Sequence, residues 1–170
     1  MKHPRVFLGL GSNIGDRKKY LFRAIEELCR SDKISQLNTS SIYETEPLYN
    51  PDQKYFFNMV VEIGTDYEPL ELLHYCKKIE LKIGRRFNTP RNSPRKIDID
   101  IEFFHHKLVN IEELVIPHPH LYERRFVLEP LSEIAPNFIC PKTGKNVSQL
   151  FKECQDIGYV NKFEEKIISK

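Results

Sequence analysis

Apolar residues alternate in several short stretches of this chain and recur at helical spacing in two longer ones. In RVFLGLG, residues 5–11, Val6, Leu8 and Leu10 share one face of a strand and leave Phe7, Gly9 and Gly11 on the other, because strand side chains repeat every second residue. FFNMVVEIG, 56–64, divides into Phe57, Met59, Val61 and Ile63 against Phe56, Asn58, Val60 and Glu62. In KIDIDIEFF, 96–104, Ile97, Ile99, Ile101 and Phe103 fall on one face and Asp98 and Asp100 on the other. A further strand is predicted within ISQLNTSSIYE, 34–44. After a polar turn at 12–16, Leu21, Phe22, Ile25, Leu28 and Cys29 trace a helix. Pro69 suits a first helical position, and Leu70, Leu73, Cys76, Ile79, Glu80 and Ile83 trace the next helix.

The order is strand–helix–strand, twice. It predicts an α+β fold with a ferredoxin-like βαββαβ core, an antiparallel sheet with two helices on one face and the strand order fourth, first, third, second. The last third predicts a short hairpin around 105–109, a proline-punctuated loop, a helix near 122–134 and a Lys- and Glu-rich tail. All of 1–170 is expected to form one domain, with a motif-bearing part at about 5–140 and a C-terminal extension at about 145–170.

In that strand order the face away from the helices reads Asp98/Asp100, then Gly9/Gly11, then Phe56/Asn58. Glycine inside a strand weakens it and often marks the close approach of another group. Either the C-terminal third covers this face, or a ligand does. Asp98 and Asp100 sharpen the question. Their Cα atoms should stand roughly 6.7 Å apart, where two unit charges at an effective dielectric of ~20 repel by about 2.5 kcal/mol. A solvated strand face tolerates that, and a divalent cation held by both carboxylates converts it into attraction.

Composition narrows the setting. Charged residues make up 29% and hydrophobic ones 40% of 170 residues, the net charge is +2, and no apolar run reaches membrane-spanning length. Neither nucleic acid nor a membrane is expected as a partner. The opening MKHPRVFLGLGSN lacks the apolar stretch of a signal peptide. Cys29, Cys76, Cys140 and Cys154 form no C-x-x-C pair, and Cys29 and Cys76 sit on apolar helix stripes as expected buried thiols. Reduced thiols, a cytoplasmic monomer and no zinc site are the expectation.

Residues 85–96, RRFNTPRNSPRK, carry Arg85, Arg86, Arg91, Arg95 and Lys96 with no acid, and run straight into the aspartate strand. Cations facing a carboxylate pair suit a polyphosphate, with magnesium bridging carboxylate and phosphate oxygens and arginines taking the remaining charge. No G-x-x-x-x-G-K-[ST] loop is present, so a nucleotide would be held by metal and arginine. A two-metal phosphohydrolase shares these features. An RNA-binding module on the same fold would need the aromatic K/R-G-F/Y-G/A-F-V-x-F/Y stretch, which is absent.

Five blocks in order, LGLGSNIGDR, SSIYETEPLYNPDQKYFFN, IELKIGRR, PRKIDIDI and IPHPHLYERRFVLEPLSEIAP, resemble the 6-hydroxymethyl-7,8-dihydropterin pyrophosphokinase family. The resemblance implies a ferredoxin-like core and pyrophosphate transfer from ATP to the pterin hydroxymethyl group, releasing AMP. It implies two Mg2+ ions on Asp98 and Asp100, and phosphate contacts from Arg85, Arg95, His118 and Arg124. Lys77, Glu80 and Ile101 match positions beside the ribose and adenine. The pterin would lie between Phe56 and Phe126, read by Asn58 and backbone near Thr45 and Leu48, with Gly11 leaving room. The chain departs from the family's pattern at Tyr49, Phe87, Asn88, Asn92 and Ser93, and it has no tryptophan. His120 is expected to be structural or solvated.

Overall fold

The computed structural model describes residues 3–164, with Gln36, Leu37 and Glu164 described by backbone only. The end of the predicted Lys- and Glu-rich tail, 165–170, lies outside the described residues. Strand β1 (Arg5–Ser12) lies between β4 (Phe56–Thr65) and β5 (Asp98–Phe104), antiparallel to both. The sheet order is β5–β1–β4–β3–β8, with β2 (Ile34–Thr39) also on β4, β3 at Ile42–Thr45 and β8 at Val160–Glu164. The strand predicted within 34–44 is thus two strands. Between them the Ser40 hydroxyl accepts from the Val60 N–H at 2.9 Å and donates to the Ser41 carbonyl at 2.7 Å, a side-chain substitute for the ladder.

Helix α1 (Arg17–Cys29) starts where the Asp16 carboxylate accepts from the Lys19 N–H. Helix α2 (Pro69–Ile83) has Pro69 in its first turn, a Glu68–Glu71 capping box and Gly84 at φ 104° as its stop. Leu21 and Leu28 of α1 and Leu72, Cys76 and Ile79 of α2 share one core with Leu8, Met59, Ile99 and Ile101. Both helices therefore cover the same sheet face. Cys76 is buried as expected, but Cys29 is exposed; it closes α1 one step around from Leu28, which takes the inward place.

The opposite face is split. In β5, Phe103 pairs with Phe7 and Ile101 with Leu8, so Glu102 is an extra residue. This bulge turns Phe103 away from the isoleucine set, against expectation, and sends Phe104 into the helix-side core instead. Phe103 joins Phe7 and Val60 under α3 (Arg125–Ile134) and α4 (Val147–Glu153), which contribute Leu128, Leu131, Val147 and Leu150. The C-terminal third covers this apolar half. The half bearing Gly9, Gly11, Asn58, Asp98 and Asp100 lines a cavity. The reading of cover by the C-terminal third holds for the apolar half, and the polar half borders a cavity instead.

The hairpin predicted around 105–109 lies further on, as β6 (Val109–Ile111) and β7 (Leu114–Ile116). His105, at φ 49°, merely ends β5. The helix predicted near 122–134 begins at Arg125, after a 3-10 turn at Leu121–Glu123.

Candidate active site

The register of three strands builds the cavity floor. Gly11 faces Asp98 on one side and Asn58 on the other, while Gly9 faces Asp100 and Val60. A Cβ on Gly11 would stand 2.6 Å from Asn58 Oδ1, and one on Gly9 would stand 2.7 Å from Glu102 Oε1. Only glycine lets these polar side chains lie across the floor. Asn58 Nδ2 donates to Thr45 Oγ1 at 2.7 Å, which fixes the amide and leaves Oδ1 and one amide hydrogen for a ligand.

All six residues assigned by resemblance to the pterin, Gly11, Thr45, Leu48, Phe56, Asn58 and Phe126, line one cavity. Arg95, Asp98, Asp100 and Arg124 line the same cavity. Cations border its aromatic walls, with the Arg95 guanidinium 5.3 Å from the Phe56 ring centre and that of Arg124 5.7 Å from Phe126.

The acids differ in charge state. Burial raises the Asp98 carboxyl, but Arg85 and Arg95 outweigh it and hold the group below the usual range. Arg85 Nη1 contacts Asp98 Oδ1 directly, and Arg95 Nε lies 3.5 Å from Oδ2. Among the described residues, Asp100 meets Arg124 Nη1 at 3.6 Å and His118 Nε2 at 3.9 Å. Burial, then the charge of Asp98, push it up to about 7 against Arg124. The two side chains keep 21% and 29% of their surface exposed, so water and ions reach them.

His118 is neutral near pH 7, because burial and then Arg124 pull it down to about 4. The His120 N–H donates to His118 Nδ1 at 3.2 Å. That places the imidazole proton on Nε2, the nitrogen directed at Asp100. His118 is thus a neutral donor beside the acid pair, and His120 holds its tautomer.

Three residues assigned to the nucleoside are not among those lining this cavity. Ile101 is buried on the helix side with Ile97 and Ile99. Glu80 is fully buried and accepts from the Ile99 N–H at 2.7 Å, from Arg85 Nη1 at 3.1 Å and from Lys77 Nζ at 3.3 Å. Burial, then Asp98, raise its carboxyl, and the two cations oppose that. Glu80 and Lys77 thereby form the anchor from which Arg85 reaches Asp98.

Sequence reasoning missed three participants. Asn13 Nδ2 donates to Gln53 Oε1 at 2.7 Å, Gln53 Nε2 donates to the Asn92 carbonyl, and the Arg95 N–H donates to Asn13 Oδ1 at 2.8 Å. These bonds dock the cationic loop on two others. The third is Glu102, 1% exposed, whose carboxyl has no hydrogen-bond partner among the described residues and is pushed well above the usual range by burial and then Asp100. Its only sequence signal was an acid in an apolar run.

A family model described as 7,8-dihydro-6-hydroxymethylpterin-pyrophosphokinase (HPPK) matches residues 7–136. The chain belongs to this family. Pyrophosphoryl transfer to hydroxymethyldihydropterin, a step of folate synthesis, is the activity that membership carries. Among the relatives, 2-amino-4-hydroxy-6-hydroxymethyldihydropteridine pyrophosphokinase of Bacillus subtilis is 45% identical over 129 residues, 76% of this chain and 77% of that protein. The Aquifex aeolicus protein of the same name is 40% identical over 80% of this chain and 83% of its own length. In the folic acid synthesis protein fol1 of Pneumocystis carinii, 40% identical, the match covers 89% of this chain but only 20% of the protein. A crystal structure of Plasmodium falciparum HPPK-DHPS shares the fold at TM-score 0.69 and 19% identity, over 89% of this chain and 42% of that one. Within the HPPK family match, Arg95, Asp98 and Asp100 form the charged half of the cavity, and Phe56, Asn58 and Phe126 line its aromatic half.

Proposed function

We propose that this HPPK chain transfers pyrophosphate from ATP to 6-hydroxymethyl-7,8-dihydropterin with the pterin between Phe56 and Phe126 and the triphosphate over Asp98 and Asp100. One observation carries the reading: Asp98, Gly11 and Asn58 form a single cross-strand row. A ring read by Asn58 is thereby set beside the acids, with glycine between them. Two stacked faces suit a fused heterocycle, and the amide of Asn58 can donate and accept at its mixed polar edge.

The acid pair fits magnesium. Asp100 meets Arg124 Nη1 at 3.6 Å, a longer contact than the direct Arg85–Asp98 one, and both carboxylates keep exposed surface. Among the described residues no group of three or more His, Cys, Asp or Glu could hold an ion alone. We infer that the two ions arrive with the triphosphate, whose oxygens complete an oxygen-rich coordination sphere. When bound, magnesium neutralises phosphate charge and makes the β-phosphorus more electrophilic.

The protein's own part is positioning and charge. The pterin hydroxyl oxygen bonds to the β-phosphorus and gives up its proton to water, as that phosphorus parts from the α,β-bridging oxygen, which leaves on AMP. Arg85, Arg95 and Arg124 stand where charge accumulates on phosphate oxygens, and His118 Nε2–H adds a neutral donor. Arg85 and Arg95 pair with Asp98 and would exchange it for phosphate. We place ribose and adenine beyond the cavity, toward Lys77, Glu80 and Ile101, as the resemblance implies. The same reading makes 1–170 one ferredoxin-like domain acting as a cytoplasmic monomer. Among the described residues no helix is long and apolar enough to cross a membrane.

The test is AMP formation from magnesium-ATP with and without 6-hydroxymethyl-7,8-dihydropterin. AMP together with the pterin diphosphate, only when the pterin is present, supports the reading. Phosphate or pyrophosphate release without it would establish a phosphohydrolase instead.

A further inference from the structure

The family match ends at residue 136, yet the sheet does not. Strand β8 pairs with β3 from Thr45↔Val160 onward and covers what would otherwise be an open edge. The segment leading into it, 156–159, touches Glu46, which itself lines the cavity, and two residues, Tyr55 and Arg125, that are each the sequence neighbour of a cavity wall. At Glu46, beside Thr45, the backbone N–H donates to the Tyr159 carbonyl at 3.2 Å and the carboxylate accepts from the Tyr159 N–H at 2.6 Å. The ring of Tyr55, beside Phe56, lies 5.7 Å from that of Tyr159. At Arg125, beside Phe126, the backbone N–H donates to Asp156 Oδ2 at 3.1 Å and Nη1 donates to the Gly158 carbonyl at 3.4 Å.

The segment is itself tightly tied. The other Asp156 oxygen accepts from the Gly158 N–H at 2.9 Å, and a Cβ on Gly158 would stand 2.9 Å from Glu46 Oε1. A second cavity bordered by Asp156, Gly158 and Tyr159 shares Thr45, Glu46, Pro47, Leu48 and Phe126 with the first. Glu46 and Tyr55 adjoin the aromatic half of the site, and Arg125 stands between Phe126 of that half and Arg124 of the charged half. None of those given above joins Asp156, Gly158 or Tyr159 to Asp98, Asp100 or their arginines.

We propose that 156–164 is a C-terminal clasp that sets the spacing of the pterin slot, with Glu46, Asp156 and Tyr159 as positioning residues. The proposal rests on the pterin reading above. By holding the Thr45, Phe56 and Phe126 walls together before the substrate arrives, the clasp removes an ordering cost from pterin binding. It leaves nucleotide binding alone.

The experiment measures binding of a non-hydrolysable ATP analogue with magnesium, then of the pterin to that complex, in the full chain and in Asp156→Ala, Glu46→Ala, Glu46→Gln and Phe163→Ser. Asp156→Ala and Glu46→Ala should weaken pterin binding about 3- to 10-fold while nucleotide affinity stays within about twofold. Glu46→Gln keeps an acceptor for the Tyr159 N–H and should restore pterin affinity. Phe163→Ser removes the ring 4.4 Å from Phe57 at the far end of the strand; it should lower the melting temperature and leave pterin affinity intact. Unchanged pterin affinity in both alanine variants, or equal loss for both ligands, overturns the clasp. Failure of the unaltered chain to bind pterin would overturn the functional reading itself, and the clasp with it.

Discussion

Arg85 and Asp98 are joined through Nη1 and Oδ1, and the same nitrogen lies 3.1 Å from Glu80 Oε1. The guanidinium therefore bridges a buried anchor and a cavity acid. Removing Asp98 leaves Arg85 on Glu80 and the Ile97 carbonyl, and removing Asp100 takes away the acid that faces Arg124 and His118. Asp98→Ala and Asp100→Ala should each lower turnover by about 10^2- to 10^3-fold or more, as for loss of a preorganised charge-stabilising group. Far-UV circular dichroism should remain that of the parent. Near-parental AMP production by either variant would remove the metal assignment.

Phe126→Ala separates the two halves of the site. Truncating one face of an aromatic sandwich loses ring burial and about 0.5–1.5 kcal/mol of ring–ring contact beyond it. Pterin affinity should fall roughly tenfold or more, whereas affinity for a nucleotide analogue should change little. Calorimetric titration with each ligand gives the comparison. Equal losses would mean that Phe126 supports the cavity as a whole, through the Val127 and Leu128 packing next to it.

Period-two alternation made β1, β4 and the start of β5 legible, and with them the row that forms the cavity floor. It failed at Glu102, because one inserted residue exchanges the faces of everything after it and nothing in IEFF marks where pairing slips. Ser40 and Ser41 broke a strand by hydrogen bonding that alternation does not register. Strand β8, VNKFE, is too polar to announce itself and exists because β3 offers an edge. The acid pair and cationic loop were readable because their charges are local. The Asn13–Gln53 bond joins residues 40 apart, and only the folded chain brings them together.

That bond gives a third prediction. Asn13 is 1% exposed and holds both the backbone of Arg95 and the side chain of Gln53. Asn13→Ala leaves the Arg95 N–H without its acceptor and loosens the end of the cationic loop, which keeps the bond from the residue-13 backbone N–H to the Arg95 carbonyl. Loss of such a bond costs about 1–3 kcal/mol where the orphaned group stays buried. The variant should melt lower and turn over at least about tenfold more slowly, with faster proteolysis within 85–96. Gln53→Ala keeps the Arg95 bond and should show a milder form of each effect. If proteolysis within 85–96 is unaltered in Asn13→Ala, these bonds do not restrain the loop.

Glu102 supplies the last prediction. Its carboxyl is buried on a bulge beside Gly9, has no hydrogen-bond partner among the described residues, and is raised by burial and then by Asp100. A buried polar group in that state is destabilising by about 1–3 kcal/mol. Glu102→Met fills similar volume without a polar atom and should raise the melting temperature of the ligand-free protein, at roughly 2–4 °C per kcal/mol for a chain of this length. The gain should depend on pH. Because the folded carboxyl titrates above its unfolded value of 4.5, its protonated form favours folding most below that value. That contribution is lost as pH rises, since the unfolded chain ionises freely and the folded one resists. The difference between Glu102→Met and the parent should therefore widen from about pH 5 to pH 8. A difference that stays flat over that range, or a parent that melts above the variant, would show that the carboxyl has a partner that stabilises it.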